Sequence, residues 1–396
     1  MPDEFELELT TMTHGGSALG RHDGRAIFVP YGIPGERVRV RITQDKGRFA
    51  HAQLVDVLEP SPARIMPRCQ HFGVCGGCHW QHIDYPAQLE FKRQIVADQM
   101  QRLGGFADVL VYPTIASPEA WSYRSHVTLH QARDGRLGFV TTDNHSILGL
   151  KECHIIRDEL WQMANQTAKA QSSQRKGEER RLRLQVGDSG SEQLTATSAD
   201  DDESSAGFSR PLGQTKAVHY TLKGHTFQVS AGSFFQVNLA QAQTLVDLVL
   251  QRLHGCQHIL DLYAGVGLFT AFLAPQAQRV LMIESAASSI ADARVNLARY
   301  RHVEWLEGFV EHALARVEGT FDGAVIDPPR AGMKPKAIEA LVRLAPQKIA
   351  YVSCDVATLA RDAKLLAANG YRLLDVQPVD MFPQTYHIEA VAAFTR

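Results

Sequence analysis

The chain has 396 residues, of which 44% are hydrophobic and 21% charged, and its formal net charge at pH 7 is −2. A chain of this length can bury two or three domain cores without disulfides, and its six cysteines are too few for a disulfide scaffold. No apolar run approaches the roughly 20 residues of a membrane helix, and the first residues do not resemble a signal peptide. We therefore expect a cytoplasmic protein without a membrane partner.

The first 60 residues are predicted to form short strands separated by glycine-containing turns. Over 37–42 arginine alternates with valine or isoleucine, so a strand would bury the apolar residues and place Arg37, Arg39 and Arg41 on one solvent face. A small β-barrel with such a basic face would suit a nucleic acid, as in oligonucleotide-binding (OB) folds. An ordinary solvated strand face explains the same pattern, and both alternatives stay open here.

A cysteine-rich segment follows the predicted barrel. Cys69, Cys75 and Cys78 lie within ten residues beside glycines, and Cys153 is a fourth cysteine further along the chain. Such clustering in a cysteine-poor chain is typical of a metal site. Four thiolates suit either zinc or an iron–sulfur cluster, and neighbouring histidines would also allow a mixed zinc site, so the spacing leaves the metal open.

The middle of the chain combines a helix with strands and a polar stretch. Apolar residues at helical spacing predict a helix from Tyr85 to Leu103, and we expect the segment 86–104 to pack on the C-terminal domain. Strands and turns are predicted over 121–153. Arg181–Val186 and Gln193–Thr197 could pair as a hairpin, and 198–214 is predicted to be a mobile acidic surface loop.

From residue 215 onward, apolar β-like runs alternate with helical segments. A helix is predicted over Leu239–Leu253. The predicted strands are His258–Leu262, Arg279–Ile283, Gly323–Ile326 and Ile349–Val352. Alternation of this kind is typical of a parallel sheet covered by helices, in which the residues that follow the strands meet at one edge.

The strand at 258–262 ends in a Gly-x-Gly turn that opens a helix. Asp261, Gly265 and Gly267 belong to this region, and Glu284 ends the next strand, where a carboxylate can bind the hydroxyl groups of a ribose. A dinucleotide site would prefer glycine at position 270, which is Thr270. These residues therefore fit an S-adenosylmethionine (SAM) site better than an NAD site. A solvated strand end is the plain alternative for Glu284.

Two further strand ends carry unusual residues. Asp327 begins an Asp-Pro-Pro turn, whose rigidity is typical of methyltransferases that act on planar nitrogen heterocycles. Cys354 follows another strand at the same edge, whereas structural cysteines usually lie within an element. A thiolate there could add to C6 of uracil and so make C5 nucleophilic enough to attack the methyl group of SAM. A base must then remove the C5 proton, and His387 and Glu389 in the tail are both candidates.

These residues together resemble the RNA (uracil-5-)-methyltransferase family, in its branch with a TRAM domain and a [4Fe-4S] cluster. Residues 20–25 and 33–38 resemble a TRAM domain, an RNA-binding barrel, and the segment SFFQVN at 233–238 resembles a specific family signature. The resemblance implies an α/β class I (Rossmann-like) SAM-dependent methyltransferase domain at 226–396. It also implies an N-terminal OB-like TRAM barrel at 1–60 and a central α+β iron–sulfur domain at 61–225.

The same resemblance implies roles for single residues. Besides the Gly265–Gly267 turn, it implies cofactor contacts from four residues, namely Gln236, Tyr263, Glu284 and Asp327. It implies a [4Fe-4S] cluster held by Cys69, Cys75, Cys78 and Cys153. Cys354 would be the nucleophile, and Glu389 rather than His387 the base. The chain departs from the family where Asp355 replaces the usual asparagine and where Phe309 replaces a polar residue.

We accordingly predict a monomeric enzyme that makes 5-methyluridine in RNA, with 23S rRNA as the expected target and tRNA as the alternative. A heterocycle N-methyltransferase without a covalent step and a non-catalytic RNA-binding iron–sulfur protein are the rival interpretations. The net charge does not exclude RNA. Residues 188–203 contain six acidic and no basic residues, so the remaining chain has a net charge of +4. Recognition through local patches is expected rather than bulk attraction.

Overall fold

The structure, a computed structural model, describes residues 4–132, 135–171, 180–188, 192–198 and 217–396. The predicted acidic loop at 198–214 lies outside these ranges, except for its first residue. In the described ranges, no helix is both long and apolar enough to cross a lipid bilayer.

The N-terminal segment forms a closed barrel, which confirms the predicted barrel. Its strands are β1 (Phe5–Met12), β2 (Ala18–His22), β3 (Arg25–Val29), β4 (Arg37–Asp45) and β5 (Phe49–Glu59), in the order β1-β2-β3-β5-β4. The alternation in β4 acts as expected, because Val38 and Val40 are fully buried in the barrel core.

The arginines of β4 do not form a free basic face. Each is paired with a carboxylate of its own barrel: Arg37 with Glu6 and Glu59, Arg39 with Asp56, and Arg41 with Glu4. These acidic residues lie on β1 and β5, the two strands that pair with β4, or directly before β1. Of the two alternatives left open by the sequence, the structure therefore favours an ordinary solvated strand face, on which the arginines are paired with carboxylates.

The turn between β1 and β2 packs against the C-terminal half of the chain. The carbonyl of Gly16 accepts a hydrogen bond from the indole of Trp80 at 3.2 Å. A Cβ atom added to Gly16, which has φ +85°, would lie 2.7 Å from the ring of Tyr386. In the same turn, the His14 imidazole lies 3.8 Å from the carboxylate of Asp355. The barrel is thus fitted closely to two loops of the C-terminal domain.

The helix predicted from Tyr85 to Leu103 is present, but its α-helical part ends earlier, at Gln99. Helix α1 (Tyr85–Gln99) begins at a cap in which Asp84 accepts from the Ala87 N–H at 3.0 Å, and it continues into a π-helical turn at Met100–Gly104. Ile95 and Val96 join the apolar cluster on one face of the C-terminal sheet. The following strand β6 (Leu110–Val111) pairs with the edge of that sheet.

The central region also contains a five-stranded sheet in the order β11-β10-β7-β8-β9. Its strands are β7 (His126–Gln131), β8 (Leu137–Val140), β9 (Ile147–Gly149), β10 (Arg180–Val186) and β11 (Glu192–Ser198). Helix α2 (Asp158–Gln171) lies between β9 and β10 in the chain. Strands β10 and β11 pair antiparallel, which confirms the predicted hairpin.

The C-terminal half begins with a hairpin of β12 (Ala217–Leu222) and β13 (His225–Ser230), and the predicted boundary after residue 225 falls within it. The strands that follow are β14 (His258–Leu262), β15 (Arg279–Glu284), β16 (Val303–Glu307), β17 (Gly323–Ile326), β18 (Lys348–Ser353), β19 (Arg372–Val379) and β20 (Glu389–Thr395). The helices are α3 (Leu239–Arg252), α4 (Leu268–Leu273), α5 (Ala287–Asn296), α6 (Val310–Ala313), α7 (Pro335–Leu344) and α8 (Val356–Ala368).

These strands and β6 form one sheet in the order β16-β15-β14-β17-β18-β20-β19-β6. Strands β14 to β18 run parallel, and β20 is inserted antiparallel between β18 and β19. The carboxyl ends of the parallel strands and the first residue of β20 therefore meet at one edge. Ligands of open α/β sheets bind at this edge.

Candidate active site

This edge of the sheet opens into a cavity of about 950 Å³, a size suited to a small-molecule ligand. Most predicted site residues line it: Gln236, Tyr263, Gly265, Glu284, Asp327, Cys354 and Glu389. The remaining predicted cofactor residue, Gly267, does not line the cavity. The cavity wall also includes Arg330 and Phe382, to which sequence reasoning gave no role, although Arg330 directly follows the Asp-Pro-Pro turn.

Asp261 stabilises the Gly-x-Gly turn through hydrogen bonds to Thr270 in the helix that follows the turn. This fully buried carboxylate accepts from the hydroxyl and the N–H of Thr270 at 2.6 and 3.1 Å, which fixes the start of α4 against β14. Burial raises the pKa of Asp261 to about 7, although the Thr270 donors oppose this shift. Asp261 thus supports the turn from outside the cavity.

Glu284 ties the end of β15 to the same turn. Its carboxylate accepts from the N–H of Gly265 at 2.9 Å and from the N–H groups of Ser285 and Ala286 at 2.6 and 2.8 Å. The Ser285 hydroxyl also donates to Oε1 at 3.4 Å, whereas Oε2 accepts only from Gly265 and so keeps capacity for a hydroxyl group of a bound ligand. The alternative of a merely solvated strand end is therefore not supported.

The two glycines of the turn differ in what surrounds them. A Cβ added to Gly267, at φ +86°, would lie 2.6 Å from Leu297, whereas none of the surrounding atoms lies within 4 Å of a Cβ added to Gly265, at φ +54°. We expect Gly267→Ala to lower the free energy of unfolding by about 1–3 kcal/mol more than Gly265→Ala, because overpacking adds to the backbone strain that both share. Denaturant unfolding measures this, and equal losses would contradict it.

The segment at 233–238 contributes Phe234, Phe235 and Gln236 to the cavity lining and is fixed by several structural contacts. Ser233 donates to the buried carboxylate of Asp292 at 2.5 Å, and Phe235 stacks on Tyr220 with ring centroids 5.0 Å apart. Asn238 caps α3 by accepting from the Gln241 N–H at 3.3 Å. These contacts fix the backbone on both sides of Gln236, whose side chain faces the cavity.

Cys354 lies in the short link between β18 and α8. Asp355 caps α8 by accepting from the N–H groups of Ala357 and Thr358 at 3.0 and 2.9 Å. Asparagine and aspartate both serve well as N-caps, so the aspartate at this position keeps a capping function. Burial, together with the nearby carboxyl groups of Glu389 and Asp327, raises the pKa of Cys354 to about 12. The thiol is therefore protonated at neutral pH.

Glu389 reaches the same place from the opposite direction. It is the first residue of β20, and its neighbour Ala390 pairs with Ser353, the residue before Cys354. Burial and the nearby Asp327 hold the pKa of Glu389 well above its ordinary value, while Arg330 opposes the shift. Cys354 and Glu389 are thereby brought together at one wall of the cavity.

His387 lies outside the lining of the cavity. Its ring contacts Tyr386 at a centroid distance of 4.5 Å and Phe382 at 5.8 Å. Burial and the positive charge of Arg330 lower the pKa of His387 to about 3. The geometry therefore favours Glu389 over His387 as the group that faces the thiol.

The apolar residue noted at position 309 forms part of the wall. Phe309 is 61% exposed and lines the cavity, with the Lys334 ammonium group 5.8 Å from its ring centroid. A flat, apolar ring system could pack on this side chain without needing a polar partner.

The four clustered cysteines meet around a second, small cavity in the central region. Cys69, Cys75, Cys78 and Cys153 all line it, and all are free thiols. Backbone N–H groups point at two of the sulfur atoms at 3.4 Å, one on Cys69 and one on Cys75. In the ranges that the structure describes, no three His, Cys, Asp or Glu side chains converge closely enough for a single metal ion.

Comparison with known proteins agrees with this arrangement. A TRAM family model matches residues 3–55, and one described as tRNA (Uracil-5-)-methyltransferase matches 215–307 and 313–396. An uncharacterized RNA methyltransferase of Synechocystis sp. is 33% identical over 97% of this chain and 94% of its own length. One of Streptomyces avermitilis is 34% identical over 99% of this chain and 98% of its own.

A solved structure shows the same similarity. The tRNA (uracil-54, C5)-methyltransferase of Pyrococcus abyssi, in complex with S-adenosyl-L-homocysteine, superposes with a TM-score of 0.76 at 26% identity, covering 98% of this chain and 99% of that one. The predicted family and the predicted methyltransferase fold with an N-terminal TRAM barrel are confirmed. The chain belongs to the RNA (uracil-5-)-methyltransferase family and is a SAM-dependent RNA methyltransferase.

Proposed function

We propose that the protein methylates C5 of a uridine in RNA through a temporary covalent bond between Cys354 and C6 of the uracil. The observation that carries this proposal is the shared cavity, which Cys354 and Glu389 line together with the Gly-x-Gly turn. The substrate of an N-methyltransferase already offers a nucleophilic ring nitrogen, so such an enzyme does not need a thiol beside a carboxyl group. A carbon nucleophile at C5 needs both groups.

The thiol acts first. Its proton must pass to solvent water before Cys354 can add to C6, because the thiolate is the nucleophile. The carboxyl groups of Glu389 and Asp327 oppose this ionisation, whereas the guanidinium of Arg330 favours it. When the Cys354–C6 bond forms, the electron pair of the C5–C6 double bond moves toward the C4 oxygen and makes C5 nucleophilic.

Glu389 completes the reaction. Gln236 and Glu284 would help to hold SAM at the cavity wall, where its sulfonium would supply the methyl group to C5 and leave as S-adenosylhomocysteine. Once C5 carries the methyl group, the Glu389 carboxylate takes the C5 proton, the C5–C6 double bond reforms and Cys354 leaves as a thiolate. The adduct is thereby resolved, with no net change in the oxidation state of the protein.

For the RNA, we propose a uridine of 23S rRNA, following the family resemblance. A uridine of tRNA is the second candidate, because the Pyrococcus abyssi relative is a tRNA methyltransferase. Mapping 5-methyluridine in rRNA and tRNA from cells with and without the gene separates them. Loss of the methyl group at an rRNA position in cells without the gene supports the 23S rRNA target, and loss at a tRNA position supports the tRNA target. If no position loses its methyl group, uridine methylation by this protein is contradicted.

We also propose that Cys69, Cys75, Cys78 and Cys153 hold a [4Fe-4S] cluster, which would stabilise the central region and needs no redox role here. The donor set fits, since four thiols line one cavity and backbone N–H groups face two of the sulfur atoms, those of Cys69 and Cys75. A Cβ on Gly76 would lie 2.7 Å from a backbone oxygen, so the chain beside the thiols is tightly packed.

This assignment predicts iron in protein purified without oxygen. We expect roughly four irons and four sulfides per chain with brown colour, and Cys78→Ser should lose most of both and unfold at a lower temperature. Cys256→Ser is the matched control, because Cys256 is buried against the C-terminal sheet, away from the other cysteines. Colourless protein containing zinc would contradict the cluster.

A further inference from the structure

The loop between β19 and β20, here called the base loop (residues 380–388), leads directly to Glu389 and places Phe382 in the cavity wall. Its main chain combines local hydrogen bonds, such as that from the Thr385 hydroxyl to the Phe382 carbonyl, with several bonds to groups from distant parts of the sequence. The Asp380 carbonyl accepts from Gln241 at 3.1 Å, and the Pro383 carbonyl accepts from the Tyr123 hydroxyl at 3.1 Å. The two strongest attachments come from helix α1.

The first attachment is a buried ion pair. The Lys92 ammonium group lies 2.5 Å from an Asp380 carboxylate oxygen and also donates to the carbonyl of Phe382 at 3.1 Å. Both charged side chains are completely inaccessible to solvent. Buried pairs add little net stability compared with apolar packing, because both charges must be desolvated. Their directional contacts can instead specify one geometry, here that of the first residues of the base loop.

The second attachment is a reciprocal pair of amides. Gln88 donates to the side-chain oxygen of Gln384 at 3.1 Å and accepts from the Gln384 N–H at 3.1 Å. The Gln384 carbonyl accepts from the N–H groups of His79 and Trp80, both at 3.0 Å. Gln384 has φ +68°, a strained value for a non-glycine residue that persists only where the surroundings enforce it.

Neither Lys92 nor Gln88 lines the cavity, so neither can touch a bound substrate there. We infer that both are positioning residues: they fix the base loop so that the Glu389 carboxylate meets the C5 proton. This inference rests on the proposed covalent mechanism. It assigns the two residues to one step, in which Glu389 takes the C5 proton, the C5–C6 double bond reforms and the C6–sulfur bond breaks.

The thiol has its own, separate support. Cys354 is fixed by the cap of α8 and by Ser353, whose hydroxyl donates to the Asp355 carbonyl at 2.9 Å. Loosening the base loop should therefore slow removal of the C5 proton more than addition of the thiol to C6. A variant with this defect should accumulate the covalent protein–RNA adduct.

The test uses Gln88→Met and the double variant Lys92→Met/Asp380→Asn, which removes both buried charges together. The RNA is a short transcript around the mapped uridine. For both variants we expect turnover to fall by about 100-fold, as for a catalytic group displaced by about 1 Å. Adduct formation in a single turnover, seen on denaturing gels, should stay within about threefold of wild type, and the methylated adduct should persist.

Ile95→Ala serves as the control for loss of stability. Ile95 is a buried residue of the same helix that belongs to the apolar cluster, and its side chain offers the base loop no hydrogen bond or ion pair. Its truncation should lower the unfolding temperature without accumulating adduct. Adduct formation that falls in parallel with turnover in both variants, or equal accumulation in Ile95→Ala, would overturn the inference.

Wild-type protein with RNA containing 5-fluorouridine separates this inference from the mechanism beneath it. A fluorine at C5 cannot be removed as a proton, so the adduct should be trapped in wild type and in the loop variants alike. Trapping in wild type combined with a parallel loss in the variants would overturn only the positioning roles. If wild type traps no adduct, the covalent mechanism itself is overturned, and the positioning roles with it.

Discussion

Replacement of Cys354 by alanine is expected to abolish methyl transfer, with a loss on the order of 10³-fold or more, because a nucleophile that forms a covalent intermediate has no substitute. The same variant should not be trapped by RNA containing 5-fluorouridine. SAM binding, followed by calorimetry, should change little, because Gln236 and Glu284 approach the cavity from other elements. Methylation of unmodified transcript with labelled SAM measures the loss.

Cys256→Ala is the matched control for this experiment. Cys256 is 4% exposed, and its thiol lies 3.5 Å from the carbonyl of Asp322, outside the lining of the cavity. The control should therefore methylate RNA as wild type does. A Cys354→Ala protein that kept its activity would instead support the rival N-methyltransferase, in which the Asp327 turn acts without a covalent step.

Glu389→Gln is expected to slow turnover by about 10²- to 10⁴-fold, the range found for general bases. The amide keeps the size of the side chain but cannot take a proton. The thiol still adds and C5 still receives its methyl group, so the methylated adduct should accumulate on denaturing gels. In His387→Asn no such accumulation is expected, and accumulation there alone would identify His387 as the base.

The pH dependence of adduct decay follows from the same residue. Because the pKa of Glu389 is held well above its ordinary value, the carboxyl is protonated at low pH and cannot act as a base. Decay of the wild-type adduct should therefore become faster as the pH rises through the range where Glu389 ionises. In Glu389→Gln this rise should be absent, and an unchanged pH profile would argue against Glu389.

Buried parallel strands were the most predictable part of the fold. The strands at His258–Leu262 and Gly323–Ile326 were predicted to the residue, because strands covered on both faces read as continuous apolar runs. Strand β16 was missed because it lies at the sheet edge and exposes Glu304 and Glu307. Strand β6 has only two residues, too few for any periodicity.

Residues at the ends of strands could also be placed from the sequence, since topology brings those ends together. Contacts between distant segments could not. Gln88 and Gln384 are separated by 296 positions, and no local pattern relates them. In the same way, the alternation in β4 predicted which side of the strand Arg37 faces. The ion pairs of Arg37 with Glu6 and Glu59 could not be predicted, because they depend on which strands become neighbours.

The paired arginines of the barrel limit how long the enzyme can dwell on RNA that it does not modify. A phosphate that binds Arg37 must displace a carboxylate that already neutralises it, so the contact exchanges partners instead of adding an ion pair. Few counterions are then released at this strand, so contacts through it should add little to the affinity for arbitrary RNA or to its salt dependence. Because a cell contains much RNA without the target uridine, we expect the enzyme to dissociate quickly from such RNA. Specificity should then come from the shape of the RNA around the target uridine.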